Sequence, residues 1–541
     1  KSALKEFRIE ADAVHIEHPA DFSHGDYSTN VAMQYAPQVK KSPTEFAQEL
    51  ARELNKNKSE HIDRIEVAGP GFINFFLSKE FFADFLNTVL KHVETFGKNN
   101  ILKDKKVVIE YTDPNPFKEF HIGHLMSNAV GESLSRIVEF SGAEARRANY
   151  QGDVGLHVAK AVWGKIKNQS MGWAEAYVYG AERYEEYKKE INEINKKIYE
   201  GSDSEISALY ESGKKASLAD FEEIYKRLGT KFDFYFFENE SGPVGLEIIE
   251  KHNDIFEKSD GAVVFHGEKF DSTLHTRVFV TKNGLPTYEA KELGLAKIKY
   301  KKYPYDISFV VTGNEVKDYF LVVHKAMELV FPELAEKTKH VPHGMLRLSS
   351  GKMSSRTGDV ISAEFLLNDV KNRVPQKMKD ADISQKEKIA DQIAVGAVKY
   401  SILKQSTGSD IIFDFEKSLS FEGDSGPYLQ YTHARACSVM EKAKNAGISA
   451  SVKSVPEKTR DIERFLSRFP EIVERAYIER EPHYITTYLT QLAGAFNNFY
   501  AQERVIDGGE FASYRLAIVE AVSIVFKNGL WLLGIEAPEK M

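Results

Sequence analysis

The stretch that most constrains this chain runs from Val107 to Leu125 and reads VVIEYTDPNPFKEFHIGHL. Val107 to Ile109 is a β-branched run of the kind that forms a short buried strand. Pro114 and Pro116, which have no backbone N–H to give to a ladder, end it. HIGH follows, His121 to His124, and from there apolar residues recur at Leu125, Ala129, Leu134, Ile137 and Val138, the spacing of a helix, with Gly142 as terminator. The segment therefore predicts a strand, a loop and a helix N-terminus. Such a terminus presents unpaired N–H groups and the positive end of the helix dipole, and two imidazoles beside it add donors for oxyanions. That combination suits a nucleoside triphosphate.

Two histidines three residues apart on a helix are ordinarily packed or solvated residues. A second element changes their meaning. Far downstream lies Gly351 to Gly358, GKMSSRTG, short, rich in small residues and carrying Lys352 and Arg356. A HIGH turn after the first strand, paired with a KMSKS-like loop past the last one, resembles the class I aminoacyl-tRNA synthetases. DPNPFKEFHIGHL, then ANYQGDVGLHVAKAVWG from Ala148, then FKNGLWLLGIEAPEKM at the C-terminal end are similar to arginyl-tRNA synthetases in particular. The similarity runs from HGDYSTNVAM near the start to Met541.

With 541 residues the chain is too long for one core, and three or four units are expected. A hydrophobic content of 42% and a charged content of 28% are those of a globular chain, and no apolar run approaches the roughly 20 residues of a membrane span. No membrane segment is expected. The one cysteine, Cys437, excludes an intrachain disulfide and a thiolate metal cluster, and fits a reducing compartment. The opening residues carry no signal-peptide pattern, so a cytoplasmic protein is expected. A net charge of −8 argues against indiscriminate coating of nucleic acid and leaves room only for a local basic face.

Residues 1–95 read as an α+β module. HGDYSTNVAM leads into an amphipathic helix, Pro43 opens another, and IEVAGPGFINFFLS is strand, turn, strand. The resemblance makes this module a tRNA-contacting domain. Residues 96–375 alternate strands and helices, which predicts an α/β, Rossmann-like catalytic core on a parallel sheet. EARRANYQGDVG is its second strand, and a Glu-, Lys- and Tyr-rich stretch at about 165–260 reads as a solvated helical insertion with no catalytic residue. GAVVFHG, TRVFVTKNGLPTY and DISFVVTGNE are expected to complete the sheet. Residues 376–420 form a linker or stem-contact region, and 421–541 an all-α bundle. That bundle holds 14 Lys and Arg against 16 Asp and Glu, so charge alone does not mark it as an RNA surface. Of its aromatics, Tyr428, Tyr431, Tyr488, Phe496, Phe499 and Tyr500, most are expected in the core. The resemblance assigns the bundle to anticodon binding.

The resemblance implies an ATP-dependent ligase that joins L-arginine to ATP as arginyl-adenylate and transfers it to the 3′ end of tRNA(Arg), releasing AMP and pyrophosphate. Mg²⁺ is expected to travel with ATP. No structural metal is expected, because no Cys or His cluster has ligand spacing. The partners implied are arginine, ATP and tRNA(Arg), with the protein acting as a monomer. Negative charge spreads over phosphate oxygens in the transition state, so the site needs cations and N–H donors rather than a protein nucleophile. By resemblance the ATP site comprises His121, Gly123, His124, Gly152, Asp153, Lys352, Met353, Ser354 and Ser355, with His121, His124 and Lys352 acting in catalysis.

The chain departs from the KMSKS pattern at Ser355, where the second lysine is missing and Arg356 follows. Lys118, just ahead of HIGH, resembles a compensating lysine, although a surface role would also explain it. A guanidinium needs carboxylates that meet its planar fork. By resemblance Glu110 pairs with it, Asn115 takes the α-amino group, and Tyr288 and Glu292, one helical turn apart, complete the pocket. The family usually has aspartate where Glu292 stands, and glutamine where Val316 stands. Asn314 is a candidate substitute for that glutamine.

Two readings of other classes remain at this point: a small-molecule nucleotidyltransferase with a HIGH-like turn, and a non-catalytic RNA-binding synthetase paralogue. The chain length, bundle and loop together weigh against the first, and intact His121, His124 and Lys352 against the second. Lys352→Ala is expected to lower kcat more than it weakens ATP binding, because a cation beside departing pyrophosphate matters chiefly in the transition state. Steady-state kinetics beside an ATP-binding titration measure both, and an unchanged kcat refutes the role.

Overall fold

The computed structural model describes residues 1–348, 361–374 and 383–541. Lys352, Met353, Ser354 and Ser355 lie outside the described residues. The N-terminal unit comprises α1 (Ser2–Glu6), β1 (Tyr27–Thr29), α2 (Val31–Val39), α3 (Pro43–Lys56), β2 (Ile62–Ala68), β3 (Phe72–Leu77) and α4 (Lys79–Lys91). Its three strands form an antiparallel sheet in the order β1-β3-β2. Pro43 occupies the first turn of α3, and Ser42 and Glu45 form a reciprocal capping box ahead of it.

The central unit carries β4 (Lys106–Glu110), α5 (Ile122–Phe140), β5 (Glu144–Gln151), α6 (Leu156–Lys167), α7 (Trp173–Glu182), α8 (Tyr184–Glu200), α9 (Ser204–Leu228), β6 (Phe234–Phe237) and α10 (Glu238–Lys251). It continues with β7 (Glu257–Ser259), β8 (Ala262–His266), β9 (Thr276–Val280), α11 (Tyr288–Lys302), β10 (Ile307–Gly313), α12 (Lys317–Val330), α13 (Pro332–Lys337), β11 (Thr338–His343) and β12 (Leu346–Leu348). The remainder is α14 (Ala363–Arg373), α15 (Ile383–Leu403), β13 (Ile411–Phe413), α16 (Phe415–Ser418) and the bundle α17 (Gly426–Asn445), α18 (Asp461–Ser467), α19 (Phe469–Glu479), α20 (His483–Gln502) and α21 (Ala512–Leu532). No helix among the described residues is long and apolar enough to cross a membrane.

The main sheet has five parallel strands in the order β11-β10-β4-β5-β6. Chain order reverses between β4 and β10, so a crevice opens there beyond the strands' carboxyl ends. Three expectations need correction. GAVVFHG and TRVFVTKNGLPTY do not extend this sheet: with β7, β8 and β9 build a separate antiparallel sheet. The link from His266 to Thr276 is too short for the crossover that parallel pairing needs, which takes about a dozen residues. Only DISFVVTGNE enters, as β10. The charged insertion also ends earlier than 260, since β6 pairs with β5 at the sheet edge and α10 follows it. Finally β11, not expected, closes the other edge, where Pro342 is tolerated because an edge strand can leave one N–H position unused.

The HIGH helix α5 is buried on nearly every side, with the sheet on one flank and α14, α15, α19 and α21 on others. One apolar cluster therefore joins Val107 and Ile109 of β4, Leu125, Leu134 and Ile137 of α5, and Val522 and Phe526 of α21. The bundle is continuous with the core of the main sheet. Of the aromatics named above, Tyr488, Phe496 and Phe499 are buried, whereas Tyr431 and Tyr500 are exposed.

A Cβ on Gly131 of α5 would lie 2.2 Å from Cγ of the buried Tyr111. Gly131→Ala gains about 1 kcal/mol of helix propensity. The overlap in so tight a place costs about 3 kcal/mol and wins. Denaturant unfolding is expected to show a net loss of stability, and a gain would contradict this packing.

Candidate functional site

A cavity of about 800 Å³ occupies the crevice between β4 and β10. Its walls come from the ends of both strands (Glu110, Thr112, Val311, Gly313), from the first turn of α5, and from α10 and α11. Thr112 and Asp113, directly after β4, have positive φ of 78° and 45°, a backbone strain that turns the chain sharply into the crevice.

At the α5 end the two histidines cap the helix reciprocally. The Gly123 N–H donates to His121 Nδ1 at 3.1 Å, and the His121 N–H donates to His124 Nδ1 at 3.2 Å. Their rings stack 3.6 Å apart. Burial, and then the charge of Lys118, lowers the pKa of His121. Burial and His121 lower that of His124 further. Both rings are therefore neutral near pH 7, and with each Nδ1 accepting, each Nε2 carries the proton and remains a donor. Gly123 is required, since a Cβ there would meet His121 Cε1 at 2.9 Å. The expectation of unpaired helix N–H groups is corrected. The Gly123 N–H is spent on His121, and the Ile122 N–H donates to Ile361 O at 3.0 Å, because the chain returning at Ile361 pairs with the turn. The imidazoles, rather than these two amides, face the cavity as donors.

The opposite end is acidic. Glu110, Asp113, Glu238, Glu289 and Glu292 line it there, while Glu315 lines the cavity nearer the imidazoles, where its charge acts on His121. Three are paired with cations: Glu110 with Lys299 at 2.7 Å, Glu238 with Lys291 at 2.5 Å, and Glu289 with Arg277 at 3.2 Å. Asp113, Glu292 and Glu315 have no ion-pair partner among the described residues. Burial, and then the charge of Glu110, pushes the Glu292 carboxyl up to about 8 and that of Asp113 well above the usual range. Such a surplus of carboxylate calls for a ligand that brings positive charge.

The structure brings Glu110, Asn115, His121, Gly123, His124, Gly152, Tyr288 and Glu292 to this one cavity. Tyr288 stands exposed at its rim. Gly152 makes room for Asn115, whose Oδ1 would lie 2.2 Å from a Cβ at that position. Asp153 faces elsewhere. It is buried, and its carboxylate accepts from Tyr210 Oη and Lys214 Nζ, both at 2.8 Å, and from the Asn239 N–H, which ties the insertion to the end of β5. Lys118 lies half-buried in a neighbouring cleft, its ammonium 5.1 Å above the Tyr177 ring. Val316 lines the cavity, but Asn314 does not replace the missing amide there, because its Nδ2 donates to Gly408 O at 2.8 Å.

Sequence reasoning missed Asp113, Glu238 and Lys299. The rule that singled out Glu110, a charged residue at the carboxyl end of a first strand, applies equally to Asp113. Lys299 follows Glu292 by seven residues on one face of α11. Glu238 lay inside the segment read as a solvated insertion and gave no signal.

Three family models match the chain: the Arginyl tRNA synthetase N terminal domain over residues 1–77, the catalytic domain of tRNA synthetases class I (R) over 86–415, and the DALR anticodon binding domain over 429–541. Among curated relatives, an arginine–tRNA ligase of Clostridium perfringens is 33% identical, covering 97% of this chain and 96% of its own length. One of Pyrococcus furiosus is 30% identical, covering 96% and 94%. Among solved structures, Thermus thermophilus arginyl-tRNA synthetase superposes with a TM-score of 0.81 at 25% identity, covering 100% of this chain and 98% of its own.

Glu292 is expected to titrate near pH 8 in the free protein, as read by NMR of carboxyl-labelled glutamate with Glu292→Gln for assignment. Glu110→Gln removes a like charge beside it and is expected to lower that midpoint. A midpoint in the ordinary carboxylate range would show that the carboxyl is solvated.

Proposed function

The chain belongs to the arginyl-tRNA synthetase family, and from that premise we infer that the protein is an arginine–tRNA ligase, which activates L-arginine with ATP and charges tRNA. The observation that carries the reading is the double-ended cavity, with imidazole N–H donors at one end and unpaired carboxylates at the other. ATP presents phosphate oxygens to the first, and arginine presents a guanidinium to the second.

In this reading His121 and His124 donate from Nε2 to the phosphates, Gly123 and Gly152 leave room for the His121 ring and the Asn115 side chain at the ATP site, and Lys352 to Ser355 take part in binding ATP. Lys118 adds positive charge near the turn. The arginine carboxylate attacks the α-phosphorus, the bond to pyrophosphate breaks, and the adenylate forms. The terminal tRNA hydroxyl then attacks the activated carbonyl, and AMP leaves. Mg²⁺ accompanies ATP as part of the substrate. Glu110 and Glu292 hold the guanidinium and Asn115 the α-amino group, with Tyr288 at the entrance. Citrulline, uncharged, offers no cation to the Glu292 carboxyl, which has no ion-pair partner of its own among the described residues, at a cost of roughly 2–5 kcal/mol.

The bundle α17–α21 takes the anticodon, an assignment supported by the matched anticodon binding domain model, and the N-terminal module takes the outer part of the tRNA. The same reading has the protein act as a monomer in the cytoplasm. A nucleotidyltransferase is not favoured, since the matched domains run from residue 1 to 541.

Charging mixed tRNA with each amino acid in turn is expected to give product with arginine alone. Because a guanidinium pairs with the ionised form of Glu292, arginine binding displaces a proton below pH 8. Its KM therefore falls as pH rises from 6 to 8, by up to about tenfold per unit, while the KM for ATP changes little. Glu292→Gln is expected to flatten that slope and raise the arginine KM by about 30-fold or more. If Glu292→Gln charges arginine as well as the parent does, the pocket assignment is wrong.

A further inference from the structure

Behind the acidic end of the cavity lies a second one, of about 340 Å³, lined by Lys299, Lys339, His340 and Arg480 among others. Glu292 lines both. Glu110 lines only the first, and Lys299 only the second. The two meet in the wall between them, where Lys299 Nζ donates to Glu110 Oε2 at 2.7 Å, with side-chain exposures of 4% and 2%. A lysine has thus been placed against the carboxylate that should greet a cationic substrate, and it reaches that carboxylate from behind.

Its geometry explains why this does not block the substrate. Glu110, Asp113 and Glu292 converge on one enclosed region, and like charges so close cannot all stay ionised without a cation. Lys299 cancels one of them while leaving the substrate side open. It holds Oε2 from behind, and Oε1 is the oxygen of Glu110 with no hydrogen-bond partner among the described residues. The second acceptor is the carboxylate of Glu292, on a different element, α11 rather than β4. A guanidinium carries five N–H donors in a rigid planar fork and can meet acceptors held apart in this way. A primary ammonium is compact, and meets one of them at a time.

We propose that Lys299 is a positioning residue for substrate selection: it pins Glu110 from behind so that the pocket offers two separated acceptors, which admits guanidinium side chains and rejects primary ammonium ones. Without Lys299 the Glu110 side chain is free to present both oxygens to one small cation. The proposal rests on the assignment of arginine to this end of the cavity, and its test separates the two.

The test is ATP–pyrophosphate exchange by the full chain with tRNA present, at varied arginine, lysine and ATP, beside thermal unfolding of each variant. Lys299→Met is expected to raise the arginine KM by about tenfold or more and to reduce the preference for arginine over lysine by a similar factor, with the ATP KM within about twofold of the parent. Lys299→Arg, which restores a cation, is expected to recover most of the preference. Glu110→Gln with Lys299→Met removes both members of the buried pair, so that neither is left without its partner, and serves if Lys299→Met alone does not fold. It is expected to be stable and to show the same preference as Glu110→Gln alone, because Lys299 acts only through Glu110. A preference in that double variant that falls well below the preference of Glu110→Gln alone overturns the proposal. So does a Lys299→Met protein in which both KM values and the unfolding midpoint worsen together, since that is the behaviour of a structural pin. Glu110→Gln alone with an unaltered arginine KM sinks the placement of arginine instead, whatever Lys299 does.

Discussion

The structure depends on how α5 can be buried while carrying charge. Glu132 lies inside it with only 2% of its surface exposed, an expensive place for a carboxylate unless every lone pair is met. Arg136 donates to one oxygen at 2.7 Å and Arg147 of β5 to the other at 3.0 Å, while Tyr111, just beyond β4, adds its hydroxyl. The arginine charges hold the Glu132 pKa down against the effect of burial. Arg136 reaches further, donating to Gly229 O at the end of α9 and to Trp531 O in α21, and Ser133 donates to Leu532 O. Lys399, fully buried on α15, donates to Leu228 O and Gly534 O at the same two helix ends. Carbonyls left over at helix C-termini are thus satisfied by cations from the helices that α9 and α21 pack against. Sheet, insertion, linker helix and bundle are locked to the helix whose first turn carries His121 and His124.

That lock has a functional side. Thr230, just past α9, donates to Asn128 Oδ1 of α5, and Asn128 donates to Thr112, which lines the cavity. A short series of hydrogen bonds therefore joins the end of the insertion to the strained loop that presents Asp113 and Asn115. The cavity itself works by unequal charge. Burial keeps the two imidazoles at one end neutral and donating, and the other end is left short of cations. The function proposed above sets an anionic and a cationic substrate along that gradient, with no protein nucleophile required.

Much of this was legible along the chain because it depends on local rules. Proline at 114 and 116, glycine at 123 and apolar spacing from Leu125 onward suffice for strand, loop and helix, and the HIGH turn closes on itself through contacts two and three residues apart. The capping box at Ser42 and Glu45 is local in the same way. Glu110, Asn115 and Glu292 were singled out because the family's pattern falls on them, and all three line the cavity. Reading failed where pairing is long-range. Alternating residues in GAVVFHG and TRVFV announce strands but not which sheet they join, and the aromatic FYFF at Phe234 gives no sign that it closes the edge of the main sheet beside β5.

The sequence by itself therefore determined the elements, the order of the units and the chemical types gathered for the site, since propensity, capping and turn chemistry act within a few residues. Only the tertiary structure decided which charges cancel. Lys299 and Glu110 stand 189 positions apart, Lys291 and Glu238 53 apart, and nothing local distinguishes them from solvated neighbours. Burial makes those pairings obligatory and leaves Asp113 and Glu292 without cations among the described residues. Desolvation and mutual repulsion, which exist only once the chain is folded, turn an ordinary glutamate of α11 into one that ionises near neutral pH.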